Sequence, residues 1–373
     1  MDPVPSILKQ DIPVKPLISM FHSYNSGSAD GKRFCSRAYD PDQKRSRLIW
    51  QRRADNELIA EEPLDIPGEG SFEDARVFLH GDRHWIAFTE GFYERKPFLS
   101  VQQIAVLGPD WQPAEKITIN YGGNGGGKRS EKNWVFFSHD GRLHFIYSIV
   151  PHIVVELGSD FKPVNEWRTD VPLNWPWGEK LRGGTPPIRV GDFYLTFFHS
   201  HAEHREKNRR YAMGAYMFEA KPPFKITAIS PVLLRASEED KTLPNPSVLG
   251  WNPLVVFPVG AWQERDCGDA EFTVTCGVND SFDALAGIEE IAWQSPEAYS
   301  KPKLRYFQAD NGPMPLMNKG QAIPWKLRKV RSQFYQPRGY MATSDPNIMA
   351  LIENRRDTKE ITEHDYKEYE AGR

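Results

Sequence analysis

Three stretches decide the fold: Arg83-His84-Trp85-Ile86-Ala87-Phe88, Arg142-Leu143-His144-Phe145-Ile146-Tyr147 and Asp192-Phe193-Tyr194-Leu195-Thr196-Phe197-Phe198. Each follows a glycine (Gly81, Gly141, Gly191) and ends on polar groups: Thr89-Glu90, Ser148 and His152, His199 and His201. Glycine supplies the positive φ that a tight hairpin needs, and the aromatic and β-branched residues after it suit a strand. Turn-then-strand units recurring at intervals of roughly 50 residues predict the blades of a β-propeller, an all-β fold. Equivalent strand ends in such a ring converge on one axis, and chemistry is expected there.

Outward from these units the strand reading continues. Phe34-Cys35-Ser36-Arg37-Ala38-Tyr39 and Leu48-Ile49-Trp50-Gln51 predict a hairpin around Asp40-Pro41-Asp42. The run Gly122 to Arg129 lacks the order of a phosphate-binding loop and a long helix after it, so a flexible loop is expected. Ala202 to Arg210 is polar and basic and reads as a solvated loop over the strand ends, able to attract anions. Strands are expected at Tyr211 to Phe218, Lys225 to Ile229, Asn252 to Pro258 and Glu271 to Val278. The charged tail, about 344–372, reads as one or two helices capped by Ser344 or Asp345. No linker announces a boundary, so residues 1–373 are expected to form a single propeller domain with that helical extension.

Composition narrows the function classes. Net charge is −3, with 47 basic and 50 acidic residues, so there is no global surplus for nucleic acid or an anionic membrane. Cys35, Cys267 and Cys276 form no paired spacing, which suggests neither a disulfide framework nor a zinc site and fits a reducing compartment. Neither a signal-peptide stretch nor a membrane-spanning run is evident, so a cytoplasmic protein is expected. Aromatics make up 12% of the chain and include 11 Trp, which serve either as core between sheets or as flat faces for a sugar.

The residues that could carry chemistry fall at strand ends. Glu73-Asp74-Ala75-Arg76 sets two carboxylates beside a guanidinium, so that one could be held ionised while the other donates a proton; the same residues would also make a surface salt-bridge turn. Lys132 and Asn133 open the next blade, and Lys180, Arg182, His199 and Tyr211 follow around the blade after it. Donors of this kind without paired acids suit a phosphate or diphosphate that is held but not cleaved. His199, His201 and His204 invite a metal reading, but no carboxylate recurs at ligand spacing, and no metal is expected.

Phe72-Glu73-Asp74-Ala75-Arg76 resembles the EDPR motif of glycoside hydrolase family 130, five-bladed propellers that act on β-mannosides. Gly183-Gly184-Thr185-Pro186-Pro187-Ile188, Tyr194 to His199, Tyr211-Ala212-Met213-Gly214-Ala215, Val256-Phe257-Pro258 and Gly277-Val278-Asn279-Asp280 are similar to further segments of that family, in the same order from about Phe34 to Asp280. The resemblance implies that Asp74 is a general acid, that Lys132, Asn133, Lys180, His199 and Tyr211 hold phosphate, and that Arg37, Arg76 and Asp280 bind the sugar. Ala75 stands in place of the usual proline, and a second phosphate arginine has no unambiguous match, although Arg95 is nearby.

The activity so implied is inverting phosphorolysis of a β-linked manno-oligosaccharide to mannose 1-phosphate, with inorganic phosphate as co-substrate and no cofactor. An inverting phosphorylase needs one protein acid, because phosphate replaces the water that a second carboxylate would activate. Glycosyltransferase family 108, which makes β-1,2-mannan from GDP-mannose, resembles the chain in the same way and is the alternative. A β-mannosidase and a non-catalytic sugar-binding propeller are further alternatives. The expected partner is an oligosaccharide, and the charged C-terminal helix could mediate a homo-oligomer.

Overall fold

The computed structural model describes residues 15–17, 23–40, 42–54, 57–95, 98–124, 130–171, 173, 175, 177–178, 180–203, 209–236, 254–263, 272–279, 282–288, 291–299, 305–309, 316–318, 321–323, 326–327, 339–343, 346–353 and 358–361. Strand β1 (Lys15–Leu17) precedes the blades. Blade 1 is β2 (Ser23–Ser28), β3 (Arg33–Asp40), β4 (Arg45–Ala54) and β5 (Glu57–Pro63), paired in that order. Blade 2 is β6 (Ser71–His80), β7 (Arg83–Phe92), β8 (Leu99–Leu107) and β9 (Pro113–Thr118). Blade 3 is β10 (Val135–His139), β11 (Arg142–Ser148), β12 (His152–Leu157) and β13 (Pro163–Thr169).

In blade 4, β14 (Lys180–Gly183) and β15 (Ile188–Val190) share the inner edge of β16 (Phe193–Glu203). It continues through β17 (Arg209–Arg210), β18 (Ala212–Glu219), β19 (Ile226–Ile229) and β20 (Leu234–Arg235). Blade 5 is β21 (Val256–Gln263), β22 (Phe272–Val278) and β23 (Phe282–Ile288), and its outer strand is β1. The N-terminal strand therefore closes the ring by pairing with the last blade, Pro16 opposite Ala284. Closure of this kind removes the open edges of a linear stack of sheets.

The three phrases that announced the fold are β7, β11 and β16, each the second strand of its blade. Their turns hold two residues: His80 pairs with Arg83, His139 with Arg142 and Val190 with Phe193. Gly81 and Gly191 have φ of 58° and 57°, the glycine-first pattern of a type II′ turn, while Asp140 and Gly141, at 48° and 74°, form the Asp-Gly type I′ turn. A second repeat marks the outer hairpins. In Leu107-Gly108-Pro109-Asp110-Trp111-Gln112-Pro113 and Leu157-Gly158-Ser159-Asp160-Phe161-Lys162-Pro163, the Gly N–H donates to the carbonyl four residues on at 2.8 Å. Trp111 and Phe161 then take the left-handed conformation, at φ 64° and 58°.

Hydrophobic clusters fill the gaps between neighbouring blades. Phe72, Val77 and Phe88 pack against Cys35 and Leu48 between blades 1 and 2. Phe78 and Trp85 meet Trp134 and Phe145 between blades 2 and 3. Phe137 and Val154 meet Tyr194 and Phe218 between blades 3 and 4, and Phe197 and Met213 meet Val256 and Val274 between blades 4 and 5. Each such side chain, fully buried, stabilises the fold by about 1.5–3 kcal/mol relative to exposure. The gap between blades 5 and 1 differs. Its apolar cluster among the described residues is Phe34 and Leu285 with Trp262 against them, and the buried Ser26 and Asp283 bond across it.

Two expectations change. The stretch Ala202 to Arg210 is not simply a loop: β16 runs on to Glu203, and Ala202 and Glu203 pair with Arg210 and Arg209, so the described part is the stem of a hairpin. Of the tail expected to be helical over about 344–372, the described residues 346–353 form a helix and 358–361 do not. Its described helix, α1, spans Pro346–Glu353, and Thr358–Ile361 is a strand. In chain order β24 (Arg305–Ala309), β25 (Leu316–Asn318), β26 (Gln321–Ile323), β27 (Lys326–Leu327), β28 (Gly339–Thr343) and β29 (Thr358–Ile361) form a further sheet, β27-β28-β24-β29, and a hairpin, β25-β26. Met349 and Ile352, three apart on α1, bury against Phe307 and Met341 of that sheet, and β29 satisfies its backbone on β24. Helical propensity yields to that pairing. Arg235 and Glu353, 3.7 Å apart, tie α1 to blade 4.

Candidate active site

The inner strands of three consecutive blades begin alike. Asn25, Asp74 and Asn133 adopt φ of 56°, 56° and 64°, each two residues ahead of the point where the ladder runs regularly, at Gly27, Arg76 and Val135. Asn and Asp tolerate the left-handed region better than other side chains, and non-glycine residues there cost on the order of 1 kcal/mol. The bulges bring these side chains together: Asn25 Nδ2 donates to Asp74 Oδ1 at 3.3 Å. Asp74 is buried, 8% exposed.

Arg76 fastens the site. It is 0% exposed; Nε donates to the Gly184 carbonyl at 2.5 Å, one terminal nitrogen to the Asp74 carbonyl at 3.0 Å, and the other to Gly183 O at 3.2 Å and Asn133 Oδ1 at 3.3 Å. One guanidinium thus holds blades 2, 3 and 4 in register, lying 5.4 Å from the centre of the Phe257 ring of blade 5. Burial lowers its pKa to about 10, opposed by Asp74. Arg76, which the resemblance implied for the sugar, directs these donors to backbone carbonyls and Asn133.

The carboxylate held ionised is Glu73, and Arg76 is not what holds it. Arg37 of blade 1 lies 3.1 Å from Glu73 Oε1, Lys132 of blade 3 donates to Oε2 at 3.0 Å, and the Tyr93 hydroxyl donates a short hydrogen bond to Oε1. Burial alone would push the Glu73 pKa up, but Arg37 and Lys132, with the bonds from Tyr93 and Lys132, outweigh it and hold the group well below the usual carboxylate range. Lys132 and Arg37, assigned by resemblance to phosphate and sugar, are therefore partners of Glu73. Sequence reasoning put the two carboxylates together but missed this arrangement, because the cations come from other blades.

Lys180, Arg182, His199 and Tyr211 do come together. Lys180 lies opposite His201 and Arg182 opposite His199 across β14 and β16, while the Tyr211 ring is 5.0 Å from that of His199. His199 is 1% exposed, and its ring centre lies 4.6 Å from that of the Phe257 that also underlies Arg76, the planes tilted by 54°. Burial, then Arg182, Arg76 and His201, hold its pKa well below the ordinary imidazole value, so the ring is neutral. Its buried Nδ1 has no hydrogen-bond partner among the described residues, leaving capacity that a bound oxygen would use.

Two adjoining cavities open beside this wall. One of about 330 Å³ is bounded by Phe98, Lys132, Asn133, Tyr147, Arg182 and Gly183. The other, about 440 Å³, shares Glu131, Tyr147 and Arg182 and reaches Lys180 and Trp175. Buried Glu131 lines both and was not singled out from the sequence as a site residue. Arg95 lies exposed over the Phe92 ring at 4.3 Å. His152, one of the polar strand ends, is instead core: its Nδ1 bonds the Phe224 carbonyl at 2.8 Å. Asp280, Cys267 and His204 lie outside the described residues. Among the described residues no cluster of His, Cys, Asp and Glu could hold a metal, and no helix is long and apolar enough to cross a membrane.

Fold and site define a five-bladed β-propeller with a buried carboxylate on an inner strand and a cationic, imidazole- and phenol-bearing wall two blades away. Among solved structures the chain is similar to β-1,2-mannobiose phosphorylase from Listeria innocua, with TM-score 0.51 and 15% identity over 80% of this chain and 96% of that one. It is also similar to a GDP-Man-dependent mannosyltransferase from Leishmania mexicana (TM-score 0.47, 12% identity, 72% and 85% covered) and an endo-arabinanase from Bacillus licheniformis (0.42, 9%, 75% and 96%). At 15% identity the likeness to the Listeria innocua structure shows the fold alone. No protein-family model and no curated protein sequence matches the chain.

Proposed function

We propose that this chain is a propeller enzyme that transfers a mannosyl group with inversion, most directly by phosphorolysis of a β-linked manno-oligosaccharide, with Asp74 as the general acid. The observation that carries the reading is the division of labour between adjacent carboxylates. Glu73, bound by two cations and a phenol, is held ionised and is a poor proton donor and a poor base, which leaves Asp74 for proton delivery. A hydrolase that inverts needs a second carboxylate free to activate water. The pinned state of Glu73 favours an external nucleophile instead.

In this reading a phosphate oxygen forms the new bond to the anomeric carbon as the glycosidic C–O bond breaks. The electron pair of that bond passes to the departing oxygen, which takes its proton from Asp74. Lys180, Arg182, Tyr211 and neutral His199 would orient the phosphate and offset its charge as it approaches the sugar, the kind of preorganised stabilisation that supplies much of an enzyme's rate. A diphosphate leaving group would use the same donors.

The test offers mannose 1-phosphate and GDP-mannose separately, each with a panel of mannose and glucose acceptors, and follows release of phosphate or GDP. Phosphate release supports the proposal; GDP release alone turns it into a mannosyltransferase. Cleavage of β-mannosides in phosphate-free buffer would make it a hydrolase. Asp74→Asn should lower turnover about 10²–10⁴-fold, the usual worth of a positioned general acid. Unchanged turnover in that variant rules the assignment out.

A further inference from the structure

Next to the Glu73 clamp stands an aromatic pair that the chemistry above does not use. Tyr93 and Phe98 stack at 4.9 Å with their planes 29° apart, and both are exposed, at 56% and 37%. Single exposed apolar side chains such as Ile59 and Leu79 need no cover, but here two aromatic rings are stacked on one another. The pair is also held in place. The Tyr93 hydroxyl is bonded to Glu73, and Lys132 Nζ lies 5.9 Å from the Tyr93 ring centre and 5.3 Å from that of Phe98. Phe98 forms part of the 330 Å³ cavity, whose polar lining includes Ser100, Ser130, Glu131, Lys132 and Arg182.

We infer that Tyr93 and Phe98 form a subsite for a pyranose ring of the oligosaccharide, beside the 330 Å³ cavity that Phe98 and Arg182 both line. A pyranose presents an apolar C–H face and an edge of hydroxyls. An aromatic plane matches the first, and the serine, carboxylate and ammonium groups beside it match the second. Because Tyr93 and Lys132 both end on Glu73, the ring platform is fixed to the residue that precedes the general acid. Occupancy there would set the sugar chain in register with Asp74. The inference rests on the proposed carbohydrate function and adds where the chain beyond the reacting bond lies.

The test is calorimetric binding of β-1,2- and β-1,4-linked manno-oligosaccharides of two to four units to the whole protein and to Phe98→Ala, Tyr93→Ala and Tyr93→Phe, in the absence of phosphate. Phe98→Ala and Tyr93→Ala should bind the trisaccharide about tenfold more weakly, which corresponds to about 1.4 kcal/mol. Tyr93→Phe, which keeps the ring, should stay within about threefold. In turnover, Phe98→Ala should raise KM for the acceptor while leaving that for the donor unchanged. If the unaltered protein binds the trisaccharide and Phe98→Ala binds it equally well, the subsite is wrong and the proposed reaction stands. Binding lost in the alanine variants of a protein without transfer activity keeps the subsite and removes the reaction. Failure of the unaltered protein to bind any of these sugars overturns both.

Discussion

Two buried carboxylates one blade apart behave in opposite ways. Glu73, in blade 2, meets Arg37, Lys132 and a phenol, and its ionised form is favoured despite burial. Asp283, in the seam between blades 5 and 1, is 1% exposed and receives the Ser26 N–H at 3.0 Å and a short bond from the Ser26 hydroxyl. Burial raises its pKa to about 6, against those bonds and the more distant charge of Arg53. The difference teaches that neutral hydrogen bonds do not match the loss of water around a carboxylate here, whereas direct contact with two cations does. The regions are joined through consecutive residues: Ser26 holds Asp283 and Asn25 holds Asp74.

The largest change to this contrast should come from Glu73→Gln. It leaves Arg37 and Lys132 at a half-buried site without their anion, so stability should fall by about 2–3 kcal/mol, discounted for the partial exposure of both cations. Urea denaturation measures this, and turnover should drop with it. An unaltered midpoint would mean that the clamp adds nothing to the fold.

Gly277→Ala strikes the link between the regions. A Cβ at Gly277 would sit 1.7 Å from Asn25 Oδ1, so Asn25 must move and its bond to Asp74 with it. Overpacking of this kind costs about 1–3 kcal/mol. A stability loss with full activity would show that Asn25 does not position Asp74.

The smallest effect sharpens the contrast through pH. The Asp283 pKa is raised on folding, so its stabilising contribution is complete below the ordinary aspartate value near 3.8 and is lost as the pH rises through about 6. Glu73 is depressed, so its contribution is present above the ordinary glutamate value near 4.5 and is lost as the pH falls below it. Denaturation midpoints of Asp283→Asn should therefore lack the decline, on the order of 1–2 kcal/mol, that the unaltered protein shows between about pH 4 and 7. A parallel pH profile in the variant places that titration elsewhere.

Much of the fold was legible because hairpins are local. Gly81, Gly141 and Gly191 with the strands after them revealed the second strands of blades 2, 3 and 4. A second legible signal went unused, the Leu-Gly-x-Asp-aromatic-x-Pro turn at 107–113 and again at 157–163, at matching places in blades 2 and 3. In the C-terminal tail the charged composition suits a helix, which forms as α1, while β29 is fixed by pairing with β24 far back in the chain. In the site, Asp74 and the His199, Lys180 and Tyr211 group could be found from strand ends and motif order. The contacts that Arg76, Arg37 and Lys132 make across blades could not.

Sequence alone determined the repeated turn-and-strand units, the adjacent carboxylates and the supply of cations, since each depends on residues a few positions apart. Tertiary structure decided that Glu73 is the carboxylate pinned between cations, that Arg76 is a strap between blades, and that β1 closes the ring. Those outcomes depend on which side chains from distant blades meet in a volume without water, where one charge contact changes the preferred ionisation of a group.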